Sequence, residues 1–91
     1  MLLRQLKYFL AVVETDSFTE AAAQCYISQS AISQQIQALE RELGVKLLNR
    51  ENRKFSLTGA GRHFYQYGRV LADEADKLCR ETTEIGKNLH Q

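Results

Sequence analysis

The residues best suited to chemistry in this chain are uncharged. Ser28, Gln29, Ser30, Ser33, Gln34 and Gln37 bring hydroxyls and amides into a stretch with no charged residue from Gln29 to Leu39. A solvated helix face normally carries Lys and Glu, whereas glutamine can bond adenine N6 and N7 together and serine can bond any base or a phosphate. An ordinary polar face is the plain alternative. Close behind lies a basic cluster in which Lys46, Arg50, Arg53 and Lys54 face only Glu51. Such a patch can hold phosphates even though the whole chain, with 12 basic and 11 acidic residues, is close to neutral.

Enzymatic groupings are missing from the pattern. His63 and His90 are the only histidines, and both fall in a carboxy-terminal helical stretch without a serine and acid to complete a triad. Gly59-Ala60-Gly61 opens a helix but lacks the lysine and the preceding buried strand of a phosphate loop. Cys25 and Cys79 form no C-x-x-C pair, so they read as reduced thiols and not as zinc ligands or a disulfide framework. We expect no catalysis, no metal and no cofactor. Neither a signal peptide nor an apolar run long enough to span a bilayer is visible, and a cytoplasmic protein is expected.

The polar face needs a helix to present it. Ile32, Ile36, Leu39 and Leu43 recur at spacings of 4, 3 and 4, which puts them on one side of a helix from Gln29 to Leu43 and puts Ser30, Ser33, Gln34 and Gln37 on the other. Ser28 can cap this helix, and Gly44 can take the left-handed conformation that ends it. A shorter helix precedes it, opening at Phe18 after the capping-box pattern Ser17-Phe18-Thr19-Glu20 and reaching Cys25. Ala21, Ala22 and Ala23 keep that helix thin, and Cys25 serves there as a small hydrophobe. Tyr26-Ile27-Ser28 is too short a joint for the two to lie side by side with slack, so they should cross as a helix-turn-helix.

Flanking elements complete the domain. Leu6, Phe9, Leu10 and Val13 mark a first helix over Leu3 to Thr15 that backs the motif. Val45, Leu47 and Leu48 are expected to pack back on the core. Leu48 to Leu57, with Asn52-Arg53 as its turn and Phe55 and Leu57 facing in, reads as a two-stranded hairpin, or wing. Thr58 can cap a last helix in which Phe64, Gly68, Leu71, Ala75, Leu78, Thr82, Ile85 and Leu89 alternate at spacings of 4 and 3, a heptad pattern. About thirty residues at ~1.5 Å each extend roughly 45 Å, farther than so small a domain can cover. The apolar seam therefore calls for a partner, most simply a second copy; a helix folded back on its own domain is the alternative.

Leu6, Phe9, Ser17-Phe18-Thr19, Ala21-Ala22, Ser28 to Ser33, Ile36, Leu39-Glu40, Leu43-Gly44-Val45, Leu47, Arg50, Leu57-Thr58 and Ala60-Gly61 together resemble the amino-terminal domain of LysR-type transcriptional regulators. The match runs to about Gly61, and the heptad helix resembles that family's dimerising linker. Cys25, Leu48 and Gly59 depart from the common Leu, Phe and Glu. The resemblance implies a mainly α fold: a winged helix-turn-helix over residues 1–58, a linker helix over 59–91, and a carboxy-terminal domain, absent here, that senses a small-molecule effector. It also implies a homodimer, often within a tetramer, on double-stranded DNA.

Carried over by position, the groove-facing residues are Gln29, Ser30, Ser33, Gln34 and Gln37, with Arg50 and Arg53 toward the wing. Position 34 is often basic in the family, so Gln34 implies weaker phosphate binding or a different base preference. The expected division of labour has Thr19, Ser28 and Ser33 on phosphates and Gln29, Ser30, Gln34 and Gln37 on bases. Arg50 is expected on phosphate, with Lys54 in the same basic cluster, and Arg53 in a narrow A·T-rich minor groove. The rival reading is a dimerising protein-interaction module whose basic hairpin meets an acidic protein surface.

Overall fold

A computed structural model describes residues 1–51 and 54–88. Arg53, Leu89 and His90, and with them the expected minor-groove contact and the last heptad position, lie outside the described residues. The elements are α1 (Leu3–Thr15), α2 (Phe18–Gln24), α3 (Gln29–Leu43), β1 (Leu48–Glu51), β2 (Lys54–Leu57) and α4 (Gly59–Asn88). Local chemistry sets most of these ends. Ser17 Oγ accepts from Glu20 N at 3.1 Å and Ser28 Oγ from Ala31 N at 3.1 Å, which satisfies an otherwise orphaned amide at each helix start. Gly44, at φ 76°, closes α3 with its N–H on Glu40 O at 2.8 Å.

Three helices wrap one core. Phe9 and Val12 of α1, Ala21 and Ala22 of α2, and Ile32, Ile36 and Leu39 of α3 meet Leu47 and Leu48 at its centre. Full burial of each larger side chain contributes about 1.5 to 3 kcal/mol, and the two alanines let α3 approach α2 closely. Cys25 packs partly buried against this cluster, and burial pushes its thiol above the ordinary range, which disfavours the reactive thiolate. Two residues expected inside are outside: Leu43 is 41% exposed and Val45 is 49% exposed. Leu43 is the last residue of α3, and the left-handed turn at Gly44 sends the chain outward before Leu47 brings it back.

The segment after that turn is tied down from two sides. From α3, the buried Glu40 carboxylate accepts from Leu47 N at 2.7 Å and Leu48 N at 3.2 Å. From the wing exit, Thr58 N donates to Leu47 O at 3.1 Å, and Thr58 Oγ1 donates to Lys46 O at 2.7 Å while accepting from Gly61 N at 2.9 Å. The first turn of α4 lies directly on this backbone, since a Cβ on Gly61 would fall 2.0 Å from Leu47 O. Backbone on both sides leaves little to yield, so Gly61→Ala is expected to cost about 2 to 3 kcal/mol. Urea unfolding measures it, and a loss below about 0.5 kcal/mol would mean the contact relaxes freely.

Strands β1 and β2 pair antiparallel with Leu48 opposite Leu57, Asn49 opposite Ser56, Arg50 opposite Phe55 and Glu51 opposite Lys54. The first half of α4 lies along α1. Phe64 meets Phe9 edge-on with ring centroids 5.4 Å apart, Gly68 sits under Leu6, and Ala72 is fully buried between Leu6 and Leu10. Phe64 and Gly68, two heptad positions assigned to a partner, are therefore also used within the domain. Lys7–Asp76 at 2.9 Å and Arg69–Glu14 at 2.9 Å bracket this contact, and the Lys7 ammonium holds the Asp76 carboxyl below its usual range. Both pairs are exposed, so each fixes register more than it stabilises. Past Asp76 the helix runs clear of the domain, giving a molecule 57 × 25 × 20 Å.

Candidate nucleic-acid interface

The polar side of α3 faces outward. Ser30, Gln34 and Gln37 are exposed, and Ser33 is half-covered. Ile32, Ile36 and Leu39, fully buried on the opposite side, hold the helix in that rotation. Thr19, at the start of α2, reaches the same surface and donates its hydroxyl to Gln29 Oε1 at 3.1 Å. Ser28 Oγ and Ser30 Oγ lie 3.3 Å apart at the amino end of α3, where unpaired amides and the helix dipole favour an anion. Thr19, Ser28, Gln29, Ser30, Ser33, Gln34 and Gln37 thus share one continuous face.

The wing stands beside it. Phe18 bridges the two, with its ring edge-on to Phe55 at 5.3 Å, and Phe18, Gln29, Ser33, Arg50, Lys54 and Phe55 line the cleft between α3 and the hairpin. Lys54 is exposed at this rim. Arg50, exposed and expected on phosphate, also contacts α2 and α3: Nη1 donates to Ser33 Oγ at 2.9 Å and the guanidinium lies 4.8 Å over the Phe18 ring. The signal was present in the sequence, because a period of two puts Arg50 in phase with Leu48 on the face of β1 nearest the domain, although the side chain stays exposed.

Sequence reasoning passed over Glu40 as well. Its position four residues after the core residue Ile36 was the available sign, since a carboxylate on a buried face must find donors. On α4, Tyr67, Val70, Leu71, Leu78 and Ile85 are each at least half exposed, while Ala75 is half-covered. Tyr67 and Val70 were not anticipated there. Among the described residues, no group of three or more His, Cys, Asp or Glu is placed to hold a metal, and no helix is long and apolar enough to cross a membrane.

A thin helix crossing a second whose polar face is outward, with a two-stranded hairpin at its side, defines a winged helix-turn-helix. The chain belongs to the lysR family of bacterial regulatory helix-turn-helix proteins, whose family model matches residues 3–62. It is 47% identical over 85 residues to the HTH-type transcriptional regulator BenM of Acinetobacter baylyi, covering 93% of this chain and 28% of that protein. The crystal structure of the BenM DNA-binding domain with catB site 1 DNA superposes with a TM-score of 0.89 at 46% identity, covering 94% of this chain and 96% of that one. The CbnR DNA-binding domain in its DNA complex gives 0.86 at 40% identity, covering 94% and 99%. The chain therefore spans less than a third of the length of the full regulator BenM.

Proposed function

We propose that this chain is the sequence-specific DNA-binding part of a transcriptional regulator, with α3 entering the major groove and the wing lying on the adjacent backbone or minor groove. The observation that carries this reading is the outward strip of Ser30, Gln34 and Gln37, uncharged and, for both glutamines, without a hydrogen-bond partner among the described residues. Side chains with unspent donors and acceptors suit base edges. Support also comes from the similarity to domains crystallised with DNA. Thr19, Ser28 and Ser33 serve phosphates, Lys54 and Arg53 serve the flanking backbone or groove, and Gln29, Ser30, Gln34 and Gln37 serve bases.

The exposed apolar residues of α4 fit a second copy of the same chain. Two copies joined there address two half-sites about one or more helical turns apart, ~34 Å each, so the target is an imperfect palindrome. In the whole protein, a further domain sensing a small molecule and a tetrameric assembly follow from the family resemblance.

Duplex DNA of random sequence, titrated across salt concentrations, tests the reading. The logarithm of affinity should fall linearly with the logarithm of salt; a flat line favours the rival module that contacts protein alone. Gln34→Ala should relax preference at one base position and cost about 1 to 3 kcal/mol on the best site. An identical consensus for variant and parent, after selection from a random pool, would remove Gln34 from the base-reading set.

A further inference from the structure

Arg50 is exposed, yet its guanidinium turns toward α3, which gives it a different task from that of a free wing cation. Strand side chains alternate, and Leu48, Arg50, Phe55 and Leu57 occupy the face of the hairpin turned to the domain. The guanidinium is held by two groups at once, the Ser33 oxygen at 2.9 Å and the Phe18 ring at 4.8 Å, and Phe18 is itself fixed edge-on by Phe55. An arginine has five donors and no acceptor, so in its bond with Ser33 the hydroxyl oxygen can only accept. A hydroxyl that accepts from a cation is polarised to give its own hydrogen away.

We infer that Arg50 is a positioning residue of the recognition helix, locking the wing to α3 and orienting the Ser33 hydroxyl as a hydrogen-bond donor toward an acceptor on DNA. This rests on the DNA-binding reading above and adds the polarity of one contact to it. The acceptor is a phosphate oxygen or the acceptor edge of a base, such as guanine N7 or O6 or thymine O4. Ser33 then supplies the contact, and Arg50 acts through it. A planar, ring-stacked guanidinium is required, because the ammonium of lysine is a point charge without the same fork or stacking surface.

The probe is the duplex of highest affinity recovered with the parent chain from a random pool. Arg50→Lys is expected to weaken binding about tenfold, one decade being the scale of a lost oriented hydrogen bond. Because Ser33→Ala removes the same contact, the double variant should be little weaker than either single one. The slope of log affinity against log salt should stay at the parental value for Arg50→Lys and for Arg50→Ala. If Arg50 were instead a phosphate ligand, Arg50→Lys would bind nearly as well as the parent, Arg50→Ala would lower the slope by about 1, and its effect would add to that of Ser33→Ala. Any of those three results overturns the assignment.

Ser33→Ala lacks one oxygen and leaves the core untouched, so the cycle keeps a folded arm even if Arg50→Ala loosens the wing. Repeating the selection with Ser33→Ala separates the two acceptors: one relaxed position indicates a base, and an unchanged consensus indicates phosphate. Failure of the parent itself to bind any duplex would refute the DNA-binding reading, a result distinct from a parent that binds while Arg50→Ala lowers its salt slope.

Discussion

Glu40→Ala is expected to remove about 2 to 5 kcal/mol of folding stability, the scale for leaving two buried amides without their acceptor. Glu40 is 4% exposed, and its carboxylate is the acceptor for both Leu47 N and Leu48 N. Truncation strips two buried amides of their partner. A domain of this size has a total stability of roughly 5 to 15 kcal/mol, so the variant should be largely unfolded at modest urea. Both amides bond the same oxygen, Oε2, so Glu40→Gln can keep both contacts with its single amide oxygen and should recover most of the loss. Equilibrium urea unfolding followed by circular dichroism is the measurement. A loss under about 1 kcal/mol for alanine would show that water or a backbone shift replaces the carboxylate.

The second large effect concerns α4. Leu71 and Leu78 lie two helical turns apart and are 50% and 66% exposed, in the same exposed stripe as Tyr67, Val70 and Ile85. Placing Glu at both puts like charges into any seam made by two copies of this helix, while the buried side of α4, formed by Gly61, Gly68 and Ala72, is untouched. The double variant should be monomeric and folded. It should lose about 10²- to 10⁴-fold in affinity for a duplex carrying two half-sites, because the second contact no longer benefits from high effective concentration. Affinity for a single half-site should hardly change. Sedimentation equilibrium checks the mass, and a parent and variant of equal mass would remove α4 as the joint between copies.

Glu40 and Arg50 differ instructively in how legible they were. Both are charged residues at positions whose period points inward: Glu40 four residues after Ile36 on a helix, and Arg50 two after Leu48 on a strand. Charge alone suggested phosphate for Arg50 and assigned Glu40 no partner. Glu40, buried, and Arg50, exposed, each pair instead with groups 7, 8 or 17 residues away in the chain. No local pattern names those partners. The reading face of α3 was legible for the opposite reason, since Ile32, Ile36 and Leu39 fix its rotation and leave Ser30, Gln34 and Gln37 only one direction to point.

By itself the sequence determined most of the helix and strand boundaries, with α2 ending at Gln24 and not at Cys25, and the class of fold. Ser17, Ser28 and Gly44 act on amides or carbonyls within a few residues of themselves, as Thr58 Oγ1 does on Gly61 N, and periodicity is a property of consecutive positions. Only the tertiary structure decided that Leu43 and Val45 face solvent, that Phe64 and Gly68 serve the domain's own packing, and that Arg50 grips Ser33 instead of standing free on the wing. Those outcomes depend on which distant segments come into contact when the core closes, and that choice is made by volume, hydrogen-bond satisfaction and close packing across the whole molecule.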